Sequence, residues 1–346
     1  MKCRKSVSPN RRTIPRRLVD RVWSGAGLTV PFDDQTLRIA VREWLHDHVA
    51  AQSQYGHISD WDTSRVCDMS NLFSDAVDFN QPLRWDTGKV ENMQGMFSDA
   101  PKFNQPLQWD TRNVRDMQWM FLHATAFNQS LPWKTSKVEN MQGMFSDATS
   151  FNQPLEWDTS KVENMQGMFN DATSFNQPLE WDTSKVESMQ GMFSDATSFN
   201  QPLKWDTSNV LNMRRMFLDA AAFNQPLRWD TSKVENMQSM FCGATSFDQQ
   251  LPWDTSNVRN MRWMFCDALA FNQKLPWDTH NVDDMSQMFR GAIAFDKSLS
   301  HWDTRNVTTM DHMFYDAPWM RRRYPSGNLL PPIDPLGQVR NQFIRW

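Results

Sequence analysis

The stretch FNQPLEWDTSKVENMQGMFNDATS, residues 151–174, runs without a break into FNQPLEWDTSKVESMQGMFSDATS, residues 175–198, a second copy in which only Asn164 and Asn170 give way to Ser188 and Ser194. The same frame extends in both directions. Trp61, Trp85, Trp109, Trp133, Trp157, Trp181, Trp205, Trp229, Trp253 and Trp277 fall every 24 residues, and Trp302 follows after 25. A period of this length marks a repeat array, in which each unit buries its apolar face only against its neighbours. Although 346 residues would suit two ordinary domains, the array overrides that count.

The ladders also explain the composition. Of 23 methionines, 21 sit in two columns such as Met165 and Met168, and the phenylalanines concentrate in two more, such as Phe169 and Phe175. The sulfur and aromatic richness is therefore a property of a stacked core and not of a cofactor box. The net charge of −4 conceals a split. Residues 1–32 hold eight basic groups against Asp20 and residues 318–346 hold five arginines against Asp334, so the body between them carries −15.

Four regions follow. Residues 1–33 read as a basic flexible tail, and residues 34–58 as a capping helix with a lead-in segment. Residues 59–317 form eleven 24-residue turns, and residues 318–346 a basic, Pro-rich C-terminal segment. Leu37, Val41, Trp44, Leu45 and Val49 recur at helical spacing, which predicts an amphipathic helix over 35–50 that covers the open first turn.

Within a turn, apolar columns fall at Val162, Met165, Met168, Phe169, Ala172, Phe175, Leu179 and Trp181. The steps of three and four admit a helix started by Asp158, Thr159 and Ser160. The spacing also parallels the leucine-rich repeat, with one short parallel strand per turn near Met168. A full helix and a strand leave little of 24 residues for two turns, so the expectation is a leucine-rich-repeat-like solenoid, an α/β or mainly β coil. The adjacent Met168 and Phe169 do not fit strict strand alternation. The tryptophans Trp85, Trp109, Trp157, Trp181, Trp205 and Trp229 are expected to stack as a structural ladder. So are the asparagines Asn104, Asn152, Asn176 and Asn200, bonding turn backbones through their amides.

The recurring FNQPLxxWDTSxVxxMxxMF frame resembles the BspA-like surface-protein repeat family, also called the DUF285 repeat, over about 250 residues. The resemblance implies a leucine-rich-repeat-like fold. It also implies kinship with bacterial surface or lipid-anchored proteins implicated in adhesion, while many microbial eukaryotic members have no known role. It brings no catalytic residues. Ten turns here carry one residue between Leu and Trp where the family often has two, as in the last turn, LSHW. The lack of a secretory signal or lipobox favours an intracellular location and the resemblance favours the cell surface, so the compartment stays open.

Columns that vary from turn to turn are expected to face solvent. Three turns stand out, NVRDMQWMFLHA, NVLNMRRMFLDA and NVRNMRWMFCDA. In them Arg115, Trp119, Arg214, Arg215, Arg259, Arg262 and Trp263 replace the usual Glu, Gln and Gly. Arg and Trp are the residues most enriched at binding hot spots, so this strip is the candidate partner-binding face. Cys242 and Cys266 occupy one column of adjacent turns, a spacing that allows a disulfide.

Other classes fit less well. His57, His123, His280, His301 and His312 are scattered, and no HExxH, GxSxG or glycine-rich phosphate loop occurs, which argues against an enzyme. No cofactor, metal or small-molecule substrate is expected, since the periodic aspartates lack the glycines of calcium-binding repeats. No apolar run approaches a membrane span. The expectation is a non-catalytic scaffold for protein–protein interaction or adhesion. The alternative is association with nucleic acid or an anionic surface through the basic termini, with the array as spacer, and the −15 body opposes it.

Overall fold

The computed structural model describes residues 31–324. The basic arm before residue 31 and the segment after residue 324 lie outside the described residues, and with them the alternative that rests on the termini. Chain order is α1 (Asp34–His46), α2 (His48–Tyr55), a 3-10 turn (Ile58–Asp60), the stacked turns, and α3 (Pro318–Arg323).

The helix expected over 35–50 is split. Asp33 starts α1, accepting from the N–H groups of Gln35 and Thr36, and Leu37, Ala40, Val41 and Trp44 are buried. At Asp47 the backbone turns extended, and its carboxylate accepts from Val49 and Ala50 to start α2. A short acidic side chain that bonds its own following amides competes with helix continuation. The break turns Val49, expected inside, outward to 64% exposed, and Leu45, also expected inside, falls at the edge of the buried face of α1 and is 41% exposed.

Adjacent turns are joined by backbone hydrogen bonds. Met141, Gly143, Phe145 and Asp147 donate to the carbonyls of Asn164, Gln166, Met168 and Asn170 at 2.7–3.0 Å, and Glu163 donates back to Glu139. Single-residue parallel bridges run Asp68–Asn92–Asp116–Asn140 and onward to Asp284–Thr309. Among the described residues no strand forms, so the short parallel strand expected in each turn shrinks to one bridge residue. The reason is the backbone that follows. Gly143 and Asp147, both at φ 57°, are left-handed. Around them Met144, Ser146 and Ala148 donate back three residues within their own turn. Alternate amides thus serve the next turn and the same turn. This tightly turned ribbon also removes the alternation problem, since Met168 and Phe169 are both fully buried.

The core is a set of parallel ladders. From Trp85 to Trp302 each ladder indole bonds back one turn, as Trp181 Nε1 does to the Leu155 carbonyl at 3.1 Å, and from Thr63 to Thr279 each ladder Thr bonds forward, as Thr159 Oγ1 does to the Asp182 carbonyl at 2.8 Å. Asn152 Oδ1 accepts both the Asn176 N–H and Gln177 Nε2, each at 3.0 Å. These bonds use only the oxygen, so Asp248 serves in the same place, accepting from Asn272 and Gln273. The rings stack with a spacing that grows across the section. Phe145–Phe169 centroids are 5.7 Å apart, Phe151–Phe175 6.0 Å and Trp157–Trp181 6.3 Å. Rows that repeat at different spacings bend the stack toward the shorter one, which makes the bridge side the inner face.

A stack has two open ends. Every first-turn residue equivalent to Asn164 and Gln166 lacks a preceding turn, and α1 supplies the missing partners. Asp34 Oδ1 accepts the N–H groups of Cys67 and Asp68 at 2.7 and 3.1 Å. Arg38 donates to the Ser70 and Asp68 carbonyls and pairs with the Asp68 carboxylate at 3.0 Å. At the other end Met320 of α3 is fully buried. Tyr324 stacks on Phe314 at 5.7 Å and accepts the Leu299 N–H at 3.1 Å. Among the described residues no acceptor meets the N–H groups of Met310, His312, Phe314 and Asp316, the last turn's outward row.

Candidate functional site

The inner face carries the candidate strip. Arg214, Arg262 and the common Gln share one column, and Trp119, Arg215, Trp263 and the common Gly share the next, which is left-handed in every turn. Gly95, Gly143, Gly167 and Gly191 occupy it freely, whereas Trp119, Arg215 and Trp263 sit there at φ 56–57°. A side chain in this region costs about 1–2 kcal/mol relative to the right-handed alternative, a cost glycine escapes.

The structure divides the strip in two. In the third turn Arg115 is already satisfied, pairing with Glu139 at 2.7 Å. Trp119, 38% exposed, lies across the next turn, with its indole 2.6 Å from where a Cβ on Gly143 would stand. Glycine at 143 is therefore demanded by its neighbour and favoured by its own φ. Four turns away lies the second group. Arg262 stacks over the Trp263 ring at 4.1 Å, and Ser239 is buried between the Arg215 and Trp263 positions. The side chains of Arg214, Arg215 and Arg259 form no ion pair among the described residues, and the Nε atoms of Arg214 and Arg262 are buried without an acceptor. At about 4.8 Å per turn, Arg215 and Trp263 stand about 10 Å apart.

Leu211 belongs with this group and was missed. It is 43% exposed and is the only aliphatic side chain in a column of mostly Glu and Arg, which is the signal that could have flagged it. The cap residues Asp34 and Arg38 were also missed, because nothing local in the sequence says which carbonyls they will meet.

The left-handed aspartate column is a second feature of this face. Burial, together with the charges of Asp195 and Asp147, pushes the Asp171 carboxyl above its usual range. At Asp99 burial pushes the same way, but donation from His123 and Ser98 outweighs it and lowers the pKa. His123 reaches Asp99 at 2.6 Å and Asp147 at 3.4 Å, tying three turns together. The disulfide allowed by spacing is not formed. Cys242 and Cys266 are free thiols. The contact with Cys242, then burial, raises the Cys266 pKa, and its Sγ donates to Asp267 at 3.3 Å. No group of three or more His, Cys, Asp or Glu among the described residues is arranged to hold a metal, and no helix there is long and apolar enough to cross a membrane.

Stacked 24-residue turns, a core made of side-chain ladders and variable residues confined to surface columns define a tandem-repeat protein. The chain belongs to the DUF285 family. The profile described as "Mycoplasma protein of unknown function, DUF285" matches residues 45–156, 107–180, 131–228, 155–252, 179–273 and 251–326. No curated protein and no solved structure matches it.

Proposed function

We propose that the chain is a non-catalytic scaffold, a leucine-rich-repeat-like solenoid whose inner bridge face mediates protein–protein interaction or adhesion. The observation that carries this reading is the placement of Trp119, Arg215 and Trp263, large side chains in a left-handed column that holds glycine in four turns and Asn71, Ser239, Gln287 and His312 in the other four. Large side chains kept where the backbone disfavours them point to use. Their chemistry, Trp and Arg beside an exposed Leu211, suits a hot spot. The inward bend gathers the side chains of successive turns toward one ligand, as in other curved repeat arrays.

The test compares full-length protein with a Trp119→Gly, Arg215→Gly, Trp263→Gly variant in affinity capture and thermal melting. Glycine relieves backbone strain, so the variant should melt within a few degrees of the parent, by roughly 1 kcal/mol of opposed effects. Loss of specifically captured proteins with melting retained supports the reading. Identical capture by both proteins removes it.

A further inference from the structure

We infer that the surface of the seventh to ninth turns is a receptor for a short acidic peptide segment of another protein. The inference rests on the scaffold reading and names the chemistry of its partner. Arg214, Arg215, Arg259 and Arg262 bring four guanidinium groups onto two turns two repeats apart, in a body whose formal charge is −15. Arg115 shows what an arginine on this face does when an anion is in reach, pairing with Glu139 of the next turn at 2.7 Å. None of the four makes such a pair among the described residues, although Glu235 and Asp283 flank Arg259 in its own column.

One of the guanidinium groups is held in place, with Arg262 stacked over the Trp263 ring at 4.1 Å. The Nε atoms of Arg214 and Arg262 are buried with no acceptor among the described residues. A guanidinium held by its face keeps its N–H edge for a carboxylate, which it grips in two parallel hydrogen bonds. Ser239, 2% exposed, lies covered between the Arg215 and Trp263 positions, and Leu211 adds an apolar margin. The two positions stand about 10 Å apart, a span that a short peptide crosses while placing one or two carboxylates on the arginines and an apolar residue on Trp263 or Leu211. A nucleic acid fits less well. A backbone long enough to use the site would run along columns holding Glu163, Glu187, Glu235 and Asp283, where its phosphates are repelled.

The test uses fluorescence anisotropy on full-length protein. The probes are a fluorescein-labelled peptide with glutamates interleaved with leucine and phenylalanine, its glutamine counterpart, and a labelled duplex DNA. The variant R214Q/R215G/R262Q/W263G restores the residues of the neighbouring turn, Gln190 and Gly191, so its fold is retained and a melt checks it. Expected is salt-sensitive binding of the glutamate peptide, weakened roughly tenfold or more in the variant, as befits loss of charge-assisted contacts. Equal binding of the glutamate and glutamine peptides, tighter binding of the duplex, or unchanged affinity in the variant overturns the inference. If that variant loses captured proteins yet binds the glutamate peptide as before, the scaffold reading stands and the acidic-peptide inference fails. If capture and peptide binding both stay unchanged, both fail.

Discussion

Arg38→Ala tests the idea that α1 closes the stack by completing its hydrogen bonds. Arg38 is about a quarter exposed and serves four acceptors. They are the Ser70 carbonyl, Ser70 Oγ at 3.0 Å, the Asp68 carboxylate at 3.0 Å and the Asp68 carbonyl at 3.4 Å. Hydrogen bonds to charged groups are worth about 1.5–3 kcal/mol net, and part of this pair is open to water. Truncation should therefore cost about 2–3 kcal/mol, felt first in the first turn. Asp34→Ala removes the acceptor for Cys67 and Asp68 and should cost a similar amount without removing a positive charge. Native-state hydrogen exchange reads the local effect, with first-turn amides losing protection before those near Gly167. A variant that loses less than about 0.5 kcal/mol and keeps first-turn protection would refute the argument.

Gly143→Ala meets both a left-handed φ of 57° and the Trp119 indole 2.6 Å from the new Cβ, so it should lose about 2 kcal/mol in denaturant unfolding, and adding Trp119→Gly should recover only the steric part. Asn152→Asp keeps the acceptor oxygen and should be nearly neutral, whereas Asn152→Leu orphans the Asn176 N–H, leaves Gln177 Nε2 only the residue 152 carbonyl at 3.2 Å, and should cost about 2 kcal/mol in the same assay. Asp171 has its pKa raised by burial and by Asp195 and Asp147, so its contribution is full below the unfolded carboxylate pKa and is lost as pH rises through the folded one. Asp171→Asn should accordingly stabilise at pH 7 by roughly a few tenths of a kcal/mol, with the gain closing as melts are taken to acid pH. Thiol labelling of unfolded, non-reduced protein should find Cys242 and Cys266 both reactive, and finding them joined would contradict the free pair.

Much of the array was legible because each repeat column reports the same environment many times. Val162, Met165, Phe175 and Trp181 are buried in register, and the Asn column bonds along the axis, as their periodicity suggested. The path of the chain within one turn was not legible. Gly167 marks a left-handed position plainly, but Asp171, also left-handed at φ 54°, reads as an ordinary polar residue, and two such residues four apart turn an expected strand into a ribbon of tight turns. The helix break at Asp47 was hidden in the same way, since a side-chain cap looks from sequence like a charge on a helix.

By itself the sequence determined the period, the number of turns, the core ladders and the columns left free to vary, because short-range repetition fixes which side chains must meet their own copies. Only the tertiary structure decided how those columns combine. It paired Arg115 with Glu139, laid Trp119 over Gly143, left four arginines on the seventh and ninth turns without carboxylate partners among the described residues, and set Asp34 and Arg38 against the open first turn. Those contacts join residues about 24 or 30 positions apart, and distance in three dimensions, not spacing in the chain, selects which charges find partners.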